Sequence, residues 1–487
     1  MSPFSASPPS PPSPPSPAGN AAAAGPAAVS PSGHLPRLPG RTSRRRDVAA
    51  AGAALLLFAV LAGIGAWLQR DSPVLRSPLP PLEAWWRPHT GPGTPLAVTV
   101  AVLVVAYGPP LAVRLPWRGL LWSGWAAAMA WTWSLALVDG WRRGIAGRLD
   151  ETGEYLTQLH RFDDLGPALR TYTDHILIGS PQNWTTHIAG HPPGAVLTFV
   201  GLDRIGLGGG TWAAAFVMTA GTSLVVAVLV TLRLLVGEQA ARAAAPFLAL
   251  APGAVWVGVA ADGYFAAVAA WSLALLAVAA TRRSPVMCAV AGFGGGLLFG
   301  ASCYLSYGLV LLAVPAAAVL VCARTARPLP YALAGAAVVL AAFTAAGFDW
   351  WEAYGLLRTR YYQGYGGVRP YSYWFFGDIA TAVAAAGIAS AAGLRRVLTA
   401  APGLLRTRAW ESRPAVAAVL LPCGFLLAML AADLTGMSKA ETERIWLPFT
   451  LWLPAFAGFL PGRDHRGWLA VQAVTALLLN HLLLTAW

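Results

Sequence analysis

RRRDVAAAGAALLLFAVLAGIGAWLQ, Arg44 to Gln69, decides the fold class. Three arginines, joined upstream by Arg41, stand directly before an apolar run that begins at Asp47. A helix crosses the hydrocarbon core with about 20 mostly apolar residues, and runs of about that length recur from Asp47 to the C-terminus. Of the 487 residues, 56% are hydrophobic and 11% charged, and the mean hydropathy is +0.56. A soluble domain with a solvated surface does not normally reach such values. The expected fold class is therefore all-α: a polytopic integral membrane protein. The first run is too long for a signal peptide and lacks a small-residue cleavage site, and the arginines before it place the N-terminus in the cytoplasm.

The net charge of +13 reads as orientation of the chain in the membrane. Arginines cluster in short loops between apolar runs and form no continuous stripe, so no nucleic-acid partner is expected. Lys439 is the only lysine, and with abundant Ala, Gly and Pro this composition suggests a GC-rich bacterial source, hence a bacterial cytoplasmic membrane. Cys288, Cys303, Cys322 and Cys423 lack CxxC or Cys/His spacing and read as packing residues. Residues 1–46 are expected to be a disordered Pro/Ser/Ala-rich cytoplasmic tail with a basic end, and 47–487 a transmembrane domain.

Apolar length and arginine placement together predict about 13 spans. The first three are Asp47–Gln69, Pro95–Val113 and Gly119–Leu137. After the outer loop they continue at Thr211–Leu235, Ala244–Ala260, Gly263–Ala280, Val286–Ala301, Tyr304–Val321, Tyr331–Ala346, Trp374–Gly393, Pro414–Ala432, Trp446–Leu460 and Gly467–Trp487. The piece from His191 to Gly210 opens with Pro192 and Pro193, and parity resolves it. If it does not cross, Arg233, Arg242, Arg282, Arg283, Arg324, Arg327, Arg395, Arg396 and the later loop arginines are cytoplasmic; if it crosses, all move outside. We read it as an interfacial helix within a long outer loop, 138–210. Further outer loops are 347–373 and 433–445. Acidic residues then segregate outward, apart from Asp47, Glu238, Glu411 and Asp464, which points to chemistry at the outer face.

The first outer loop carries Asp139, Asp150, Glu151 and Glu154. Glu151, Glu154 and Tyr155 fall at i, i+3 and i+4, so a helical turn would put them on one face beside the membrane, where a raised pKa suits a general base. The competing reading is solvated loop charge. His187 and His191 are also four apart, but the two prolines argue against one continuous helix and a metal site. These histidines are expected to bond the loop or a substrate phosphate. No cofactor is called for, and no metal ligand set is assigned.

Asp150-Glu-Thr-Gly-Glu-Tyr155, His191-Pro-Pro-Gly194, Asp262 after Pro252, and Gly300-Ala-Ser-Cys-Tyr-Leu-Ser-Tyr307 occur in an order that resembles the GT-C superfamily of membrane glycosyltransferases. The branch it is most similar to holds the protein O-mannosyltransferases and aminoarabinose transferases. The resemblance covers Asp139 to Pro315 and extends beyond it only in topology. Two extra spans precede the acidic loop here, a departure from the family's pattern; the family's key carboxylate commonly sits close to the end of the span before that loop, which keeps Asp139 in contention with Glu154. The resemblance implies an inverting transfer of a sugar from a polyprenyl-phosphate donor to a glycan, lipid or protein acceptor at the outer face. Glu154, or else Asp150, Glu151 or Asp139, would take the acceptor proton. Tyr155, His187 and Asp262 would contact substrate.

Two outer loops add complementary groups. Arg358, Arg360, Tyr361 and Tyr362 mix phosphate-clamping arginines with sugar-stacking rings, although interface anchoring is an equal reading. In Met437-Ser-Lys-Ala-Glu-Thr-Glu-Arg444, two outer cations run against the positive-inside bias. Lys439 and Arg444, with Arg358, Arg360 and His191, would neutralise the departing donor phosphate. A Lys439–Glu443 surface pair is the bland alternative. A multi-span transporter and a non-catalytic cell-envelope scaffold stay open as rival functions.

Overall fold

The computed structural model describes residues 43–406 and 411–486, all within the unit His34–Trp487. The expected tail to Thr42, Arg408 and Trp487 lie outside the described residues. The described residues are mostly helical with almost no sheet. Among the described residues one sheet occurs, pairing Ala84–Trp86 antiparallel with Leu483–Thr485.

Among the described residues six helices are long and apolar enough to cross a membrane: Arg44–Leu68, Thr94–Arg114, Gly210–Leu235, Asp262–Thr281, Pro285–Leu305 and Arg413–Leu434. Two bent pairs, Leu329–Ala345 with Trp350–Gln363 and Tyr371–Ala386 with Ile388–Leu404, raise the number to eight. The predicted count of about 13 is higher because several apolar runs are broken or fall short of that test. The Ala244–Ala260 run divides into Glu238–Ala249 and Ala254–Val257 around Pro252 and Gly253. The Trp446–Leu460 run is a series of short turns. Trp374–Gly393 bends by 102° at Gly387, whose φ of +86° places the backbone where only glycine sits without strain.

The burial of these helices sorts them into centre and periphery. Arg44–Leu68 and Thr94–Arg114 are mostly uncovered, showing Leu55, Leu56, Val102, Leu103 and Val113 outward, a surface that lipid would cover. Asp262–Thr281 is largely buried at the centre. Pro285–Leu305 and Leu329–Ala345 approach closely through Gly296 and Gly335. A Cβ on Gly296 would overlap the Ala332 carbonyl oxygen, so the contact depends on the missing side chain.

The two ends of the first helix touch different chemistry, roughly 35 Å apart along its axis. At one end Asp47, fully buried, is held by Arg395 and Arg396. Arg44 there reaches Asp464 at 3.8 Å. Arg242 pairs with Glu238 and donates to the carbonyls of Ala112 and Leu115 near that end of the second helix. At the opposite end Gln69 donates to Ser77, the terminal strand pairs with Ala84–Trp86, and Arg148 donates to Thr485 and Ala486. The long loop after Ala136 gathers there. Its helix Gly194–Arg204 has 11 residues, about 16 Å, roughly half the hydrocarbon thickness. Arg204 donates back to Phe162 and Asp163, so this helix starts and finishes among the same loops.

Candidate functional site

The long loop organises around its own aromatic core. Phe162 stacks on Trp184, and Tyr172 packs against both. The Tyr172 hydroxyl donates toward the carbonyls of Ile188 and His191, at 2.6 and 3.0 Å. These bonds fix the histidine-bearing turn Thr186–Gly190 against this aromatic core. Arg360 closes the loop from outside, donating to the carbonyls of Ile176 and Trp184. Arg358 is exposed.

No helical turn unites Glu151, Glu154 and Tyr155. A single bond from the Glu154 N–H to the Glu151 carbonyl makes a tight turn, and a broken 3-10 segment begins only at Leu156. The reason is a partner distant in sequence. The Gly153 carbonyl accepts the His187 N–H at 3.0 Å and faces His187 Nδ1 at 2.9 Å, which withdraws it from any helix ladder. Asp150 and Glu151 are exposed. Glu151 lies 3.6 Å from Arg148, and Asp139 lies 2.9 Å from His89. Of the four predicted carboxylates, Glu154 alone touches the central cluster, its Oε1 3.3 Å from His187 Nδ1.

Arg444 is the hub. Its Nη1 donates to Asp262 Oδ2 at 2.6 Å, and its Nη2 donates to Glu441 Oε2 at 2.8 Å and to His187 Nε2 at 2.9 Å. The loop that delivers it is strained. Ala440 and Glu441 both adopt left-handed φ, +71° and +63°, which costs roughly 1–2 kcal/mol per non-glycine residue. The turn is secured on all sides: Lys439 N–H donates to the Tyr361 hydroxyl, Ala440 N–H to Asp378, and the Lys439 carbonyl accepts from Arg369.

Arg369 extends the network to Glu83 at 3.3 Å and Glu441 at 3.7 Å, and the Glu83 N–H donates to Glu443. Lys439 and Glu443 therefore do not pair. Lys439 Nζ donates to the Gly366 carbonyl and lies 5.4 Å from the ring centre of Tyr362. Sequence reasoning did not assign Glu83, Arg369, Glu441 or Asp378 to the site. The only signal for Glu83 was its place in the loop before the second span, on the side to which the other acidic residues were assigned.

Burial sets the protonation states. It pushes Glu154 up to about 8, against the opposing pull of Arg444, and drives His187 and His191 down to about 4. At neutral pH the Glu154–His187 contact therefore joins a largely protonated carboxyl to a neutral imidazole and is not an ion pair. Burial also raises Glu83 and Glu443 to about 7. Glu441 is pushed up by burial too, but Arg444 and Arg369 together hold it below the usual carboxylate range. Tyr155, wholly buried, stacks on Phe199 at 5.3 Å and lies near both histidines; burial raises its phenol well above the usual value. His191 directs Nδ1 at the His187 carbonyl, 2.8 Å away. Among the described residues no group of three or more His, Cys, Asp or Glu could hold a metal ion.

This arrangement supplies a proton acceptor poised near neutrality, a positioned imidazole, and a cation neutralised by two carboxylates. No protein-family model matches this chain, and no curated protein is significantly similar to it in sequence.

Proposed function

We propose that the protein is a membrane glycosyltransferase that moves a sugar from a polyprenyl-phosphate donor to an acceptor hydroxyl at the extracytoplasmic face, with inversion. In this reading the chain crosses a bacterial cytoplasmic membrane about 13 times, some crossings being broken helices, with its N-terminus in the cytoplasm and the Glu154 cluster outside. The observation that carries it is Glu154: a buried carboxyl raised to about 8, at the loop end of a helical bundle, against a fixed neutral histidine. A base of that pKa accepts an alcohol proton near physiological pH. The donor lipid stays in the bilayer. Its phosphate meets Lys439 and Arg358, which no carboxylate engages in an ion pair among the described residues.

The test is transfer from a labelled polyprenyl-phosphate sugar by purified protein in nanodiscs, comparing wild type with Glu154→Gln. Loss of transfer in a folded variant supports the reading. Full activity removes Glu154 as base and moves the role to Asp139 or Asp150.

A transporter reading draws on the 102° bend at Gly387, since broken helices line many transport sites. The carbonyls next to that bend already have partners: Ala385 accepts from Gly253, and Ala386 accepts from Gln472 and Ser390. Solute uptake by proteoliposomes would favour the transporter.

A further inference from the structure

We infer that Arg444 is a positioning residue for the Glu154–His187 pair, setting the tautomer of His187, and not a clamp for the donor phosphate. A guanidinium has donors only. The His187 Nε2 that lies 2.9 Å from Arg444 Nη2 must therefore offer its lone pair, which puts the single imidazole proton on Nδ1. That nitrogen faces the Gly153 carbonyl at 2.9 Å and Glu154 Oε1 at 3.3 Å. The opposite tautomer would set two N–H groups against each other at Nε2 and leave a bare nitrogen facing the Gly153 carbonyl.

Three features fit positioning better than phosphate binding. Asp262 and Glu441 neutralise the guanidinium at 2.6 and 2.8 Å, so an incoming phosphate would have to displace a buried carboxylate. The Arg444 side chain is only 6% exposed. The consecutive left-handed residues Ala440 and Glu441 hold a strained turn whose effect is to bring Glu441 onto the same guanidinium. A tautomer held by the bond on the other ring nitrogen is how histidine is commonly oriented for chemistry.

The inference rests on the glycosyltransferase reading only for its kinetic consequence. Its direct test is the protonation pattern of His187 in full-length protein in nanodiscs, read from long-range 15N–1H correlations of 15N-histidine-labelled protein and assigned with His187→Gln. Wild type should show Nδ1–H from pH 6 to 8. Arg444→Gln should give a mixture of tautomers or the Nε2–H form, and Arg444→Lys, which keeps a donor, should retain more of the Nδ1–H form. An Nε2–H signal in wild type, which needs no variant, overturns the inference. So does an unchanged signal in folded Arg444→Gln.

In transfer assays Arg444→Lys should lower kcat about tenfold or more with the donor KM within about twofold of wild type. A raised donor KM at unchanged kcat would return Arg444 to phosphate binding. If wild type transfers no sugar, the glycosyltransferase reading fails, while the tautomer measurement still decides the role of Arg444.

Discussion

Arg444 and Asp262 stand 182 residues apart in sequence, and their side chains meet at 2.6 Å. The pair ties the last loop of the loop end to the start of the central helix Asp262–Thr281, both partners nearly fully buried. Removing one member leaves the other charge without its partner in a low-dielectric site, which typically costs about 3–5 kcal/mol. Asp262→Asn should therefore unfold at a clearly lower temperature in detergent. Asp262→Asn with Arg444→Gln should lose less than the sum of the two single changes. Additive losses would show that the two side chains do not interact in the folded protein.

Glu443 predicts a pH-dependent stability. It is fully buried, and burial raises its carboxyl from 4.5 to about 7. The folded state holds the proton more tightly than the unfolded chain. That contribution is full below pH 4.5 and is lost as pH rises through about 7. Glu443→Gln mimics the protonated form, and its side-chain oxygen can still accept the Glu83 N–H. Melting curves should superimpose at pH 4.5, and the variant should be the more stable at pH 8. A variant less stable than wild type at pH 8 would mean that the fold favours the ionised carboxylate and that burial does not raise its pKa.

The helical bundle was legible because apolar runs of span length are a strong signal, and the two ends of the bundle were legible in the arginines. What the runs did not reveal was continuity. Gly387 and the Pro252–Gly253 step divide apolar stretches that hydropathy alone reads as single spans. Glu154 was singled out by its spacing in the acidic loop, Asp262 only by its position in the resemblance. The helical face expected for Glu151, Glu154 and Tyr155 failed because Gly153 gives its carbonyl to His187, a partner 34 residues away. Arg369, Glu83 and Glu441 were not assigned for the same physical reason. They act through contacts as distant as 360 residues, between Glu83 and Glu443, and no local spacing encodes such a meeting.

The pH profile of transfer follows from the same cluster. In the proposed reaction the ionised form of Glu154 accepts the proton, so kcat should rise about tenfold per pH unit between pH 6 and 7 and level off above about 8, where the carboxyl is half or more ionised. His187 and His191, held at about 4, should add no limb near the ordinary histidine value of about 6.5. A profile flat from pH 6 to 9 would exclude Glu154 as the titrating base.

Asp47 offers the contrasting case at the other end of the bundle. It is fully buried, and both of its oxygens accept from guanidinium groups: Arg395 Nη1 to Oδ1 at 2.8 Å, and Arg396 Nε to Oδ1 and Oδ2 at 2.9 and 3.0 Å. These bonds fix the start of the first helix to Ile388–Leu398. Asp47→Asn keeps the shape but removes the charge, leaving two neighbouring guanidinium groups uncompensated, so thermal stability should fall by an amount comparable to Asp262→Asn. The loop cluster lies about a membrane thickness away, so kcat and the pH profile of the folded Asp47→Asn protein should match wild type. A changed pH profile would mean that the first helix transmits strain from the arginine end to Glu154, and the two ends would then have to be treated as one coupled unit.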